Sequence, residues 1–237
     1  MENLIRVFTL LLLPTLGYSQ DDTLAPDFLK GIKNLSYTTY DSDHEITSEN
    51  VYKITSSYKT AIGIRYTLLA KDKSEIEPKK STFQYLDQNQ NELVFTANYI
   101  LPPFLFDSYS NLDISIEEGN ESVPFKFKDG DELQDEYLVL NLVIAPIIRT
   151  LKYSITDRQL IKEEMVTTPA GDFKCFVLES KTHFLPEEDL NGSLVQWFSP
   201  NVGLVKQTHY DLSGLLTGTT LLTGINVVTD KNPVVQN

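Results

Sequence analysis

Cysteine is almost missing from this chain: Cys175 stands alone among 237 residues, so no disulfide can form within it. With only three histidines beside that thiol, there are too few soft ligands for a zinc ribbon or an iron–sulfur site, and neither metal nor cofactor is expected. Basic residues are scarce too. Lys and Arg number 20 against 33 Asp and Glu, a formal charge of −13, which repels phosphate backbones and argues against nucleic acid as a partner. A G-x-S-x-G elbow, a phosphate loop and a dinucleotide fingerprint are all missing. No linker rich in Pro, Gly or Ser divides the chain, and no apolar run approaches the ~20 residues that span a bilayer, so no stable membrane anchor is expected.

What is present is enough to build a core, with 41% of residues hydrophobic. The first twenty residues read as a secretory signal peptide: Arg6, the apolar run Val7 to Leu13, Pro14, then Gly17-Tyr18-Ser19 with small residues near the expected cut. Residues 21–237 are then one exported domain, periplasmic or secreted, with no cysteine near the cut to carry a lipid.

From Lys33 onward the hydrophobic pattern has period two, in short segments bounded by turn residues. Val51 to Thr55, Ile62 to Leu68, Glu92 to Ala97, Tyr137 to Ile148, Ile148 to Ile155 and Asp172 to Leu178 are examples, and Asp157 to Met165 is read as strand as well. Acidic turns such as Asp41-Ser42-Asp43 and Asp211-Leu212-Ser213-Gly214 separate them, and the two share an order of strand, acidic turn, strand. Short connections imply antiparallel neighbours, so the fold class is all-β with few or no helices.

Two late stretches carry a resemblance. Thr168-Pro169-Ala170-Gly171-Asp172-Phe173-Lys174-Cys175-Phe176, followed by Trp197-Phe198-Ser199-Pro200-Asn201-Val202-Gly203-Leu204-Val205-Lys206, resembles the paired signatures of the TapB-like family of exported bacterial proteins. The likeness covers about residues 31–225. It implies a single curved antiparallel sheet, a half-barrel similar to those of periplasmic lipoprotein carriers, with no established activity.

Read on their own chemistry, these stretches are structural. Pro169 fixes φ and Gly171 accepts a positive one, a tight turn that delivers Phe173, Cys175 and Val177 to one face of a strand, while Pro200 and Gly203 bracket a second turn after Trp197. Cys175 sits between Lys174 and Phe176 with no adjacent base, which reads as an inert thiol. His183 and His209 are too few for a metal site, even with Glu179 or Asp211 beside them. No catalytic residue is assigned.

Three functions remain. The first is a non-enzymatic envelope protein holding an apolar ligand or a lipidated partner on a concave sheet face lined by Phe104, Phe106, Leu140, Leu142, Ile144 and Trp197. In the second, the same face is filled by the chain's own side chains and an edge or rim meets a protein partner. A hydrolase built on Asp41, Asp43 and His44 comes third.

Overall fold

The computed structural model describes residues 28–227 apart from 62, 73–81, 90, 96–112, 120, 126, 127, 129, 145 and 187. Residues 1–20, read from sequence as a signal peptide, and Phe104 and Phe106 lie outside the described residues.

The described residues form thirteen strands in one sheet, β1 (Ile32–Asp41), β2 (Ile46–Lys59), β3 (Gly63–Asp72), β4 (Thr82–Asn89), β5 (Glu92–Phe95), β6 (Asp113–Glu118) and β7 (Glu121–Pro124) making the first half. The second half is β8 (Glu136–Ile144), β9 (Ile147–Thr168), β10 (Gly171–Leu185), β11 (Gly192–Ser199), β12 (Gly203–Asp211) and β13 (Leu216–Val227). Every pairing is antiparallel. Among the described residues the helical content is one 3-10 turn at Glu188–Leu190.

The sheet order runs β6-β8-β9-β10-β11-β12-β13-β1-β2-β3-β4-β5-β7. Its two ends, β6 and β7, are consecutive in the chain with only Gly119 and Asn120 between them. Three residue steps reach at most about 11 Å, so the ends lie side by side and the sheet curls further than a half-barrel, to near closure.

Alternation decides what fills it. Leu138, Leu140 and Leu142 of β8 point one way, and β9 answers with Tyr153 opposite Leu138 and Leu151 opposite Leu140. Phe184 of β10 pairs with Tyr153, and their rings stack with centroids 4.6 Å apart. All are fully buried. At one end Phe28 plugs the barrel, edge-on to the Tyr66 ring, while the Tyr66 hydroxyl donates to the Phe28 carbonyl at 2.7 Å.

The two signature stretches are turns here. Gly171 takes φ +132° between β9 and β10, where the Thr168 hydroxyl accepts the Ala170 amide. At φ +84°, Gly203 lies against Phe28 so closely that a Cβ would stand 3.2 Å from its ring. The second signature thus seats the plug. The shared acidic turns are also built alike. Asp41 Oδ1 accepts the amides of Asp43 and Glu45, and Asp211 Oδ1 accepts those of Ser213 and Leu215, each turn placing its fourth residue, His44 or Gly214, at positive φ.

Candidate functional site

One feature of β9 breaks the alternation. Asp157 and Arg158 together face Ser180 of β10, a bulge at which Asp157 adopts φ +50°. Regular pleating would turn Asp157 inward and Arg158 outward; the extra residue reverses both. Asp157 stands in solvent paired to Lys181 at 2.6 Å, which holds its carboxyl below the usual range. Arg158 is driven inside.

There its guanidinium ties the ends of the sheet together. Nη2 donates to Glu121 Oε1 of β7 at 3.1 Å and to the Ser122 carbonyl at 2.9 Å, and Nη1 donates to the Gln134 carbonyl just before β8 at 3.0 Å. Glu136 of β8 lies 3.6 Å from Nη1 and accepts the Ser122 hydroxyl at 3.0 Å. From the opposite wall, Gln196 of β11 donates to Glu121 Oε2 at 3.4 Å. Both ions are about 1% exposed. Burial pushes the Glu121 carboxyl up, with Arg158 and Gln196 pulling it back.

On the outer face beside the bulge lies a polar groove of about 500 Å3, lined by Glu132, Asp135, Asp157, Glu179, Lys181 and Ser193. Asp135 Oδ1 accepts the Asp157 amide and so fixes the bulge from outside. On the inner face of the sheet, Ser180 Oγ and Arg158 Nε are buried without a protein partner.

The residues named from sequence fall in several places. Leu140 and Leu142 are inside and 0% exposed; Ile144 ends β8, its side chain outside the described residues. Trp197 is on the other face of the sheet. Its neighbour Gln196 points inward to Glu121, while the indole N–H donates to Glu164 and Lys206 lies 4.5 Å over the ring. Lys162 and Trp197 together hold the Glu164 carboxyl low. Leu140 and Trp197 therefore line no common surface.

The histidines do not meet. His183 is exposed and bonded to Thr156, whereas His209 is buried beside Leu194, and burial lowers its pKa to about 3. The Cys175 thiol is buried, near Glu164, and pushed up to about 12. Asp41, Asp43 and His44 share one exposed turn that Asp41 caps. No group of His, Cys, Asp and Glu among the described residues is arranged to hold a metal ion.

Glu121, Arg158, Gln196 and Ser180 escaped the sequence reading. A signal was there: apolar residues fall at odd positions through Leu151, Tyr153 and Ile155, then resume at the even Leu160, a slip that only a bulge permits.

The fold has solved counterparts. A Bacteroides fragilis protein inferred to be exported, with a YmcC-like fold, aligns with TM-score 0.66 and 20% identity over 81% of this chain and 94% of its own. A Parabacteroides distasonis protein inferred to be a lipoprotein aligns with TM-score 0.69 and 19% identity, over 86% and 99%. No curated protein matches the sequence. The sequence model of the DUF3108-like family matches residues 30–222.

Proposed function

The chain belongs to the DUF3108-like family, and from that premise we propose that it is an exported envelope protein that works by binding and not by catalysis, through the outside of a barrel filled by its own side chains. Export rests on the signal-like residues 1–20, and the inferred envelope location of the two structural neighbours agrees with it. The finer likeness to TapB-like proteins belongs to this same reading.

One observation carries it. Leu140 and Leu142, the central residues of the supposed apolar lumen, are 0% exposed, so not even a water-sized space adjoins them. An apolar ligand has nowhere to sit against them.

The outside offers a surface instead. Ile147, Ile148, Leu185, Leu212, Leu215 and Ile46 are exposed at the ends of four hairpins, β8–β9, β10–β11, β12–β13 and β1–β2, which are neighbours in the sheet order. Lys152 opposite Leu185, Gly192 opposite Asp211 and Asp41 opposite Gly218 bring those ends to one rim. Asp43, Glu45, Glu188 and Asp189 stand among them, which suits a protein partner with an apolar patch bordered by basic residues.

Native mass spectrometry of the mature protein purified from periplasm tests the filled barrel. The expected spectrum shows the bare polypeptide mass alone. A copurified lipid would overturn this reading in favour of an open concave face.

A further inference from the structure

The Glu121–Arg158 pair closes a gap that backbone bonds leave open. Among the described residues β7 has a strand partner on one side alone, β5, and no ladder joins it to β8. Across that gap the bonds are made by side chains: Arg158 to Glu121 and to the Ser122 carbonyl, and Ser122 to Glu136. A four-residue strand held this way opens locally at lower cost than the laddered strands around it. Glu121 rides on that strand, whereas Arg158, Ser180 and Gln196 belong to β9, β10 and β11.

What those three residues build is a carboxylate site that Glu121 fills incompletely. An arginine holds both oxygens of a carboxylate when Nε–H and Nη2–H donate together as a fork. Glu121 takes only Nη2, at 3.1 Å, and a long bond from Gln196 at 3.4 Å. Arg158 Nε and Ser180 Oγ face the same interior and have no partner, on residues 1% and 3% exposed. A buried donor left unmade is costly. Burial pushes the Glu121 carboxyl up, and Glu136, 3.6 Å from the same guanidinium, pushes it the same way.

From the half-used fork and the unladdered gap together, we infer that Glu121 is the built-in occupant of an interior anion site, displaced when β7 swings out by a carboxylate from outside. The incoming group accepts from Arg158 Nε–H and Nη2–H, from Ser180 Oγ–H and from the Gln196 amide. One carboxylate replaces another, so the charge around Arg158 and Glu136 is unchanged, whereas a phosphate dianion adds a buried charge that nothing there pairs. Small organic acids and the C-termini of peptides both carry the group. The chain's net charge of −13 repels anions at long range, so affinity comes from these close contacts and from the fraction of molecules with β7 open. This site is independent of the rim and of any partner bound there.

The test is a titration of the 15N-labelled mature protein, followed at the Arg158 Nε–H resonance and at the exchange rates of the Ser122 and Val123 amides. The probes are acetate, N-acetyl-Gly-Ser-Gly with a free C-terminal carboxylate, and the same tripeptide amidated at its C-terminus, with sodium chloride of equal ionic strength as the blank. In the wild type, acetate or the free-acid tripeptide, or both, is expected to shift Arg158 Nε–H in saturable fashion and to speed exchange along β7. The amidated tripeptide is expected to do neither, and whichever carboxylate binds identifies the source. Glu121→Gln removes the resident charge and is expected to bind the better probe at least about tenfold more tightly. Ser180→Ala is expected to weaken it about fivefold. If Glu121→Gln does not fold, the wild-type titration and Ser180→Ala decide. Binding by Glu121→Gln alone, with a wild type indifferent to every probe, would mean only a refilled cavity and would overturn the inference. So would unchanged affinity in a folded Glu121→Gln, saturation by the amidated tripeptide, or the absence of saturable shifts with any probe.

Discussion

Arg158→Met is expected to lower the free energy of unfolding by about 3–5 kcal/mol, and adding Glu121→Leu to it is expected to restore most of that loss. The reason lies in where the two charges sit. Both side chains are about 1% exposed, so removing the guanidinium strands a carboxylate in a dry interior where only Gln196 remains to bond it. Burial already pushes the Glu121 carboxyl up with Arg158 present. Once the cation is gone, Glu121 protonates or drags water in. The pair also spans the place where the sheet meets itself, through Ser122 on β7 and Gln134 before β8. The single variant should therefore lose protection against amide exchange first along β7 and β8. Denaturant unfolding of both single variants and the double variant closes the cycle. Strictly additive losses would mean that the two ions stabilise the barrel independently and that the seam is held by something else.

Acid should act through a different buried group. His209 is expected to carry a loss of roughly 3 kcal/mol between pH 6.5 and pH 4. Burial lowers its folded pKa from the ordinary 6.5 to about 3. Below pH 6.5 the unfolded chain takes up a proton that the folded chain refuses, so this stabilisation is complete above 6.5 and drains away as pH falls toward 3. Asp157, Glu164 and Asp211, whose carboxyls are held low, also lose stability on acidification, and Glu121, held high, works the other way. The difference between the wild type and His209→Gln cancels those shared contributions. That difference should shrink by roughly 3 kcal/mol from pH 7 to pH 4. A constant difference would mean that His209 protonates in place, which a buried ring beside Leu194 does not allow.

The strands were legible because alternation is a local property. Leu138, Leu140 and Leu142, or Leu151, Tyr153 and Ile155, declare a face without knowing what covers it. The acidic turns were legible for the same reason: an aspartate at the first position caps its own turn, and Asp41 and Asp211 do so with the same bonds. Closure was not legible. It depends on β6 pairing with β8 while β7 pairs with β5, a choice between partners far apart in sequence. Trp197 was assigned to the concave face as a large aromatic residue, and an aromatic ring is equally at home on an outer wall when Glu164 takes its N–H and a lysine covers its face. Arg158 was hidden for a subtler reason. The bulge reverses the facing of the residues after it, as far as the next irregularity at Ile161, and so converts an apparently solvated arginine into the centre of the barrel.

A filled interior is most directly tested by Leu140→Trp, read as the midpoint of denaturant unfolding. Leu140 is fully buried, packed opposite Leu151 at the middle of β8. A barrel packed by its own side chains has no room for an indole there, and the variant should lose about 3 kcal/mol or fail to fold. An unchanged midpoint, with the new tryptophan fluorescing from an apolar site, would show an open lumen and contradict the account.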